Sequence, residues 1–502
     1  MPTDQNPAST QFISTGVPGL DTILSGGLTR DRLYLVEGEP GSGKTTMGLQ
    51  FLVEGVKRGE TVLYISLAEN AVELRAVAES HGWSTEGIHI HEVIPSESLL
   101  DPREQYSMFH PSEVELGTTT QEILSAVEKL KPTRVVLDSL SELQLLAGNA
   151  LRYRRQVLAY KQFFASRACT VMLLDDRTAS NGDLQVHSIA HAVITLEMTA
   201  KEYGADRRRI RVGKYRGVQF RAGLHDYAIV RGGILVYPRL AAATSRVKSP
   251  RNLFSSGLPE LDLLLGGGIE EGTSTLVAGP PGTGKSSLAA QIASSAARQN
   301  MRAAMFVFEE SANNLLNRAD GLGMDLSSAV NAGRVTIQQI DPAELSPGEF
   351  AHAVCQAVDA DGARVVVIDS LSGYLHATPD ERFLTTHLHE LLTYLGQRSV
   401  VTVLVGVHQG LIGAQMQASV DASYLSDNVI LLRHFEAAGE VRQAVSVFKK
   451  RGGPHERTLR EFRMSSRGIE VGPTLRQFHG VLTGVPTYIG SPAEGTRDAD
   501  DS

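Results

Sequence analysis

Short, almost continuous apolar runs separated by longer stretches of helical periodicity set the pattern of this chain. In the first half, Arg32–Glu37, Thr61–Ser66, Arg134–Asp138 and Thr170–Leu174 carry apolar residues at successive positions. A strand that is apolar on both faces is one buried on both faces. The second half supplies partners at Ser274–Ala278, Ala303–Phe308, Arg364–Asp369 and Val400–Val405. Between the runs lie amphipathic stretches such as Thr118–Leu130 and Glu381–Leu395, which read as helices. Strands alternating with helices predict a mostly parallel sheet flanked by helices, an α/β fold, in each half.

The halves repeat one another. Ser14-Thr-Gly-Val-Pro-Gly-Leu-Asp21 returns as Ser255-Ser-Gly-Leu-Pro-Glu-Leu-Asp262, and Gly26-Gly27-Leu28 returns as Gly267-Gly268-Ile269. Gly38 falls on Gly279, Glu69 on Glu310 and Gly82 on Gly323, all at a spacing of 241 positions (279 − 38). Further on the spacing shrinks, so that Asp138 pairs with Asp369, Ile194 with Ile430 and Lys214 with Lys449. Length changes in the loops between strands produce such drift at small cost. A period this long marks duplicated domains rather than a solenoid. The predicted layout is a tail over 1–11, a first domain over 12–240, a linker over 241–252, a second domain over 253–480, and a terminal segment over 481–502. The linker is placed on Ala241–Pro250, which is small, polar and closed by proline.

Composition narrows the function classes. With 502 residues, 42% hydrophobic and 21% charged, the chain reads as an ordinary globular protein of two large or three small domains. A net charge of −8 argues against nucleic acid as a partner, although Arg207-Arg-Arg-Ile-Arg211 and Arg152-Tyr-Arg-Arg155 are local basic clusters. Runs this short suit solvated faces or subunit contacts. The two cysteines, Cys169 and Cys355, fall at corresponding depths of the halves and in no metal or redox spacing, so they read as small buried residues in a reducing compartment. The N-terminus has no basic segment followed by an apolar one, and no run approaches ~18 apolar residues. A cytoplasmic protein without a membrane span is expected.

The chemistry enters at two glycine-rich turns. Gly38-Glu-Pro-Gly41-Ser42-Gly43-Lys44-Thr45-Thr46 follows a strand and opens a helix, and so does Gly279-Pro-Pro-Gly282-Thr283-Gly284-Lys285-Ser286-Ser287. Both match the P-loop pattern in its confirming context, with backbone amides and a helix N-terminus turned on phosphates. Lys44 and Lys285 are expected on the β/γ-phosphates of ATP, with Thr45 and Ser286 on Mg2+. Asp138 and Asp369 end strands and are followed by Ser-Leu-Ser, where a carboxylate faces the ligand crevice and holds Mg2+, or caps the next helix. Activating a water or hydroxyl calls for a carboxylate near the γ-phosphate. Ala68-Glu69 and Glu309-Glu310 follow the second strand of each half. Adjacent carboxylates raise one another's pKa, which suits a general base, and they equally suit a helix start.

Two domains that open with Ser-Thr/Ser-Gly-x-x-x-Leu-Asp, then a P-loop and a Phe-Glu-Glu-Ser segment, resemble the KaiC family of circadian clock protein kinases. The most specific series is Asp427-Asn-Val-Ile-Leu-Leu-Arg-His-Phe-Glu436, Val447-Phe-Lys-Lys-Arg-Gly452 and Arg460-Glu-Phe. The resemblance implies two tandem RecA-like P-loop NTPase domains in a homohexameric double ring, with ATP bound between subunits. It further implies hydrolysis in the first ring, autokinase and autophosphatase chemistry in the second, and regulatory partners such as KaiB-like proteins.

Carried onto this chain, Glu309 is the base and a metal ligand, with Glu310 beside it. Lys214 and Arg216, and Lys449 and Arg451, match a K-x-R strand that reaches the neighbour's nucleotide, a placement that also suits a solvated basic strand edge. Ser423 and Tyr424 occupy the family's two phosphoacceptor positions, and the tyrosine departs from the pattern. Three further departures are Ala68 for a glutamate, His376 for an arginine and Leu322 for an aromatic near the adenine. Val481–Thr487 matches a regulatory loop, and the tail after Gly490 reads as disordered. The alternatives are a DNA-directed ATPase of the same fold without kinase activity, and a stress or signalling ATPase unconnected to timing.

Overall fold

The structure, a computed structural model, describes residues 11–93, 111–177, 184–201, 203–240, 252–376, 381–407, 424–437, 439–481 and 487–488. The chain divides into two compact units, Met1–Arg239 and Leu240–Ser502. Among the described residues each holds a nine-stranded sheet, and the four apolar runs of that half lie in its parallel part.

In the first unit the strand order is Gly233–Tyr237, Leu224–Val230, Arg207–Tyr215, Ala192–Thr199, Leu33–Gly38, Thr170–Asp176, Arg134–Asp138, Val62–Ser66, Ile88–Glu92. The strand that leads into the P-loop, Leu33–Gly38, lies parallel between Thr170–Asp176 and Ala192–Thr199. Only the Ala192–Tyr237 side is antiparallel. Side chains alternate across a strand, so both faces of Leu33–Gly38 must find cover. Tyr34 and Val36 pack with Met47, Leu49, Phe51 and Leu52 of helix Lys44–Lys57. Leu33 and Leu35 pack on the opposite face with Ile123 and Val127 of helix Pro111–Leu130 and Val157 and Phe164 of helix Ala150–Ala165.

The second unit repeats the plan, in the order Val335–Gln339, Arg302–Val307, Ala363–Asp369, Val401–Val407, Ser274–Gly279, Asn428–Ala437, Glu440–Lys450, Arg460–Ser465, Gly468–Thr474. Its P-loop strand also buries both faces, Val277 in one core and Leu276 and Ala278 in the other. All eight apolar runs named above are strands of these sheets. The first helix starts at Pro111 rather than Thr118, because proline is suited to a first helical turn. Among the described residues no helix is long and apolar enough to cross a membrane.

One expectation is overturned. Cys169 and Cys355 do not occupy equivalent places. Cys169 precedes strand Thr170–Asp176, whose counterpart is Val401–Val407, so its equivalent is Val400. Cys355 lies on helix Pro347–Asp359 instead. Both thiols are free, and burial pushes each up to about 11, so neither is a thiolate near neutral pH.

The first unit also buries a charge the second lacks. Arg134 is fully buried, donates through Nη1 to Ser14 O at 2.8 Å and Phe51 O at 3.0 Å, and pairs with Glu60. Its guanidinium lies 4.7 Å from the centre of the Phe51 ring. The corresponding residue of the second unit is Val365, since Arg134 pairs with Val62 as Val365 does with Ala303. Arg134→Val removes the hydrogen bonds to the Ser14 and Phe51 carbonyls, while partly exposed Glu60 keeps Arg30 at 4.0 Å. It should therefore destabilise the first unit by about 1–3 kcal/mol and leave the second unit's unfolding transition in place, as read by chemical denaturation.

Candidate nucleotide sites

Each P-loop begins where its strand runs out of partners and turns back as a helix. Gly41 and Gly43 take positive φ (79° and 94°), and Gly43 is the cap of helix Lys44–Lys57. A side chain at Gly43 would meet Ile229 Cδ1 at 2.8 Å, and one at Gly284 (φ 92°) would meet Met464 Sδ at 2.6 Å. The left-handed conformation favours glycine there, and any side chain would also have to displace the flexible ends of Ile229 or Met464. The turn leaves the first amides of the helix facing the loop, an anion site by geometry.

In the first unit Lys44, almost fully buried, donates through Nζ to Gly38 O at 3.0 Å and Glu39 O at 2.9 Å, and pairs with Asp176 at 2.7 Å. Thr45 Oγ1 donates to Asp138 Oδ2 at 3.2 Å, and the Tyr64 hydroxyl donates to the same oxygen at 2.5 Å. Asp138 is not a helix cap, because helix Leu140–Ala147 begins after Ser139. Burial raises the Asp138 carboxyl above its ordinary range, opposed by the Tyr64 and Thr45 hydrogen bonds and by Lys44. Glu69 is fixed through its backbone, whose N–H donates to Ser66 Oγ at 3.1 Å. Its carboxyl is also raised, by burial first and then by Asp138, Glu73 and Asp176. Its Oε2 is buried without a hydrogen-bond partner among the described residues. Thr46 Oγ1 lies 3.3 Å from His81 Nε2, and the Ser42 hydroxyl oxygen is buried without a hydrogen-bond partner among the described residues.

The second unit holds the same frame with different side chains. Lys285 Nζ donates to Pro280 O at 2.8 Å, and Thr283 Oγ1 to the same carbonyl at 2.8 Å. Burial lowers the Lys285 pKa against the opposing pull of Asp369 and Glu309. Ser286 hydrogen-bonds Asp369, whose carboxyl is raised by burial. The adjacent glutamates diverge rather than face one another. Glu309 Oε1 accepts from Ser370 Oγ at 2.7 Å, whereas Glu310 pairs with Arg318 at 2.6 Å. Helix Ala312–Gly321 is capped by Ser311, so neither glutamate starts it. In both units the peptide that follows the aspartate, Asp138–Ser139 and Asp369–Ser370, is cis.

The K-x-R pairs lie away from their own P-loops. Lys214 sits opposite Val193, which pairs with Leu35 near the start of the P-loop strand, while the loop leaves from its end at Gly38. Lys214 Nζ donates to Ala190 O at 2.8 Å and His187 O at 2.5 Å, and Arg216 Nη2 to Ser188 O at 2.5 Å. Lys449 sits opposite Val429 and donates to Ser426 O at 2.8 Å. Arg451 donates to Tyr424 O and lies 3.7 Å from Asp427. Tyr424 is half exposed. Ser423, the tail after Gly490, most of the 481–487 loop and the 241–251 part of the linker lie outside the described residues, as does the side chain of His376. Leu322 closes helix Ala312–Gly321 and packs against the core, and its counterpart at the same register is His81.

The family described as "ATPase: KaiC" matches residues 13–241 and 254–476, most of both units. The chain belongs to the KaiC ATPase family. It is 27% identical to the circadian clock protein KaiC3 of Synechocystis sp., over 97% of this chain and 96% of that one. It is 26% identical to the circadian clock oscillator protein KaiC of Thermostichus vulcanus, covering 97% and 94%. To the KaiC of Synechococcus elongatus it is 25% identical, covering 95% and 92%.

A KaiC-family ATPase binds nucleotide, and the donor sets here fit a hard divalent cation beside it. Each site offers one hydroxyl against one carboxylate, Thr45 with Asp138 and Ser286 with Asp369. Among the described residues no cluster of three or more metal-ligating side chains forms. Mg2+ suits such a site, since it takes one or two protein oxygens and completes its shell with phosphate and water. Sequence reasoning missed Tyr64, Asp176, Arg318 and Ser370. Only Ser370 had a signal, the Ser that follows each strand-terminal aspartate.

Gly43→Ala forces a side chain into both a left-handed backbone and the Ile229 contact. It should weaken ATP binding at the first site at least tenfold, about 1.4 kcal/mol, by equilibrium titration in a Lys285→Ala background.

Proposed function

We propose that this chain is an ATP-hydrolysing serine/threonine autokinase and autophosphatase, working as a homohexameric double ring with ATP and Mg2+ held between neighbours. The observation that carries this reading is the asymmetry of the two sites. The second presents Glu309, oriented by Ser370 and electrostatically coupled to Lys285, where the first has Ala68.

In the second unit Glu309 accepts the proton of the attacking hydroxyl as its oxygen bonds to the γ-phosphorus and the bond to ADP breaks. Ser423 is the acceptor, with Tyr424 beside it. Lys285 meets the charge on the phosphate oxygens. Ser286 and Asp369, with Glu309 as a further ligand, would hold Mg2+, which would supply neutralising charge to the phosphate oxygens. Glu310 acts through Arg318, fixing the segment that carries Glu309. Hydrolysis of the phosphoserine by water returns the chain to its starting state. In the first unit Glu69 alone orients water on the γ-phosphate, with Thr45 and Asp138 on the metal. Lys214 and Arg216, and Lys449 and Arg451, bind the neighbour's nucleotide. Their distance along the sheet from their own P-loops supports that role.

Regulatory protein partners, KaiB-like or others, would read the phosphorylation state, in a clock or another signalling circuit. The DNA-directed alternative is weaker. Its best basic run lies within strand Arg207–Tyr215, with Arg207 buried and Arg209 facing Asp226 at 3.6 Å.

With γ-labelled ATP and Mg2+, phosphopeptide mapping should place label on Ser423, and Lys285→Ala should abolish it. Label retained in that variant would exclude the second P-loop as donor. ATP should also shift the chain from small species to a hexamer in size-exclusion chromatography with light scattering.

Acidification gives an independent check. Glu69 and Asp138 are raised, so both protonate earlier than ordinary carboxylates as pH falls. In Lys285→Ala, residual hydrolysis should decline on acidification above the usual carboxylate range, and Glu69→Gln should cut the plateau rate at least tenfold. An acid limb confined to the ordinary carboxylate range would contradict the assignment.

A further inference from the structure

We propose that Asp176 is a specificity-determining residue of the first nucleotide site, a counter-ion that nucleotide displaces from Lys44 and whose freed charge then disfavours ATP more than ADP. The inference rests on the reading of Lys44 as the lysine that meets the phosphates. A lysine ammonium has three donors, and Lys44 Nζ has three close acceptors: Gly38 O at 3.0 Å, Glu39 O at 2.9 Å and Asp176 Oδ1 at 2.7 Å. The two carbonyls belong to the P-loop itself. The donor that a phosphate oxygen takes over is therefore the one held by Asp176.

The displaced carboxylate stays close by. Asp176 ends its strand directly beside Gly38, where the P-loop leaves the sheet. Its backbone is pinned, since Asp176 N donates to Ser141 Oγ at 3.2 Å and the next residue, Arg177, donates from N to Gly38 O at 3.0 Å. Only the side chain moves, and at 37% exposed it turns to water from the same strand end. Its charge already acts on that end of the site, because Glu69 and Asp138 are raised first by burial and further by Asp176. Repulsion between like charges grows with their product, so the nucleotide that carries a γ-phosphate is penalised more than ADP.

The second unit is the same frame without this device. Gly279 pairs with Val407 as Gly38 pairs with Asp176, so the counterpart of Asp176 is Val407. Among the described residues Lys285 forms no ion pair, and its Nζ donates to Pro280 O alone. Asp369 and Glu309 act on Lys285 without holding it, and Glu309 is engaged by Ser370 Oγ at 2.7 Å. Where the second unit has Glu309 the first has Ala68, so the first unit draws a carboxylate to its P-loop lysine from a different strand.

The test uses the full chain with Lys285→Ala, so that titration reads the first site. Asp176→Asn removes the charge at constant shape, Asp176→Val installs the second unit's residue, and Asp176→Glu keeps the charge. The probes are ADP and the non-hydrolysable β,γ-imido analogue of ATP, each with Mg2+, in equilibrium dialysis. Asp176→Asn and Asp176→Val should tighten the analogue about fivefold or more and ADP by about twofold or less, with Asp176→Glu near the parent. Damage to the fold weakens binding, so it does not imitate this gain. Analogue affinity unchanged or weakened in both variants, or ADP gaining as much as the analogue, overturns the proposal. Lys44→Met in the same background separates the two failures. If it leaves binding unchanged, the reading of Lys44 fails and the inference with it. If it weakens binding while the Asp176 variants fail to tighten it, the inference fails alone.

Discussion

Burial of the P-loop strand on both faces is the constraint on which the rest depends. Leu33–Gly38 and Ser274–Gly279 are central and parallel, covered above and below by separate cores, so their ends cannot wander. The chain leaves each strand through a left-handed turn that favours glycine, and the following helix returns over the sheet. Loop amides and the helix N-terminus thereby face the same turn, and in the first unit Asp176 also holds the lysine. In each sheet the strand one removed from the P-loop strand ends in Asp138 or Asp369 and sets that carboxylate against the P-loop hydroxyl. A carboxylate so placed is costly to bury, and its raised pKa measures that cost.

Duplication gives two frames that agree in backbone and diverge in charge. The second unit has Glu309 on Ser370 and Glu310 on Arg318, where the first has Ala68 and Val77. The first has Arg134 deep in its core, where the second has Val365. It also has His191 at the place of Asp427. Each difference alters electrostatics at a fixed position, so one architecture offers a lone carboxylate at one site and an oriented pair at the other. The proposed division of labour between hydrolysis and phosphoryl transfer rests on that contrast.

Local pattern made most of this legible. Apolar runs located the eight strands, and the glycine spacing located both phosphate turns. The repeat register aligns Glu69 with Glu310 in the sequence itself. What escaped depends on contacts between segments distant in the chain. Nothing near Lys44 announces Asp176, and nothing near Asp138 announces Tyr64. The divergence of Glu309 and Glu310 depends on Ser370 and on Arg318, one just past the end of another strand and one on the next helix. The cysteines show the opposite failure. Similar depth in the chain suggested equivalence, but one precedes a strand and the other lies on a helix. Sequence distance drifts between the copies, and only strand pairing restores the true register.

The claim that two complete nucleotide sites exist in one chain is tested most directly by counting. Equilibrium dialysis with labelled ATP and Mg2+ should find about two ATP per chain for the parent, and about one for Lys44→Met and for Lys285→Met, since each P-loop lysine supports one site. A parent stoichiometry of one, left unchanged by either substitution, would contradict the account.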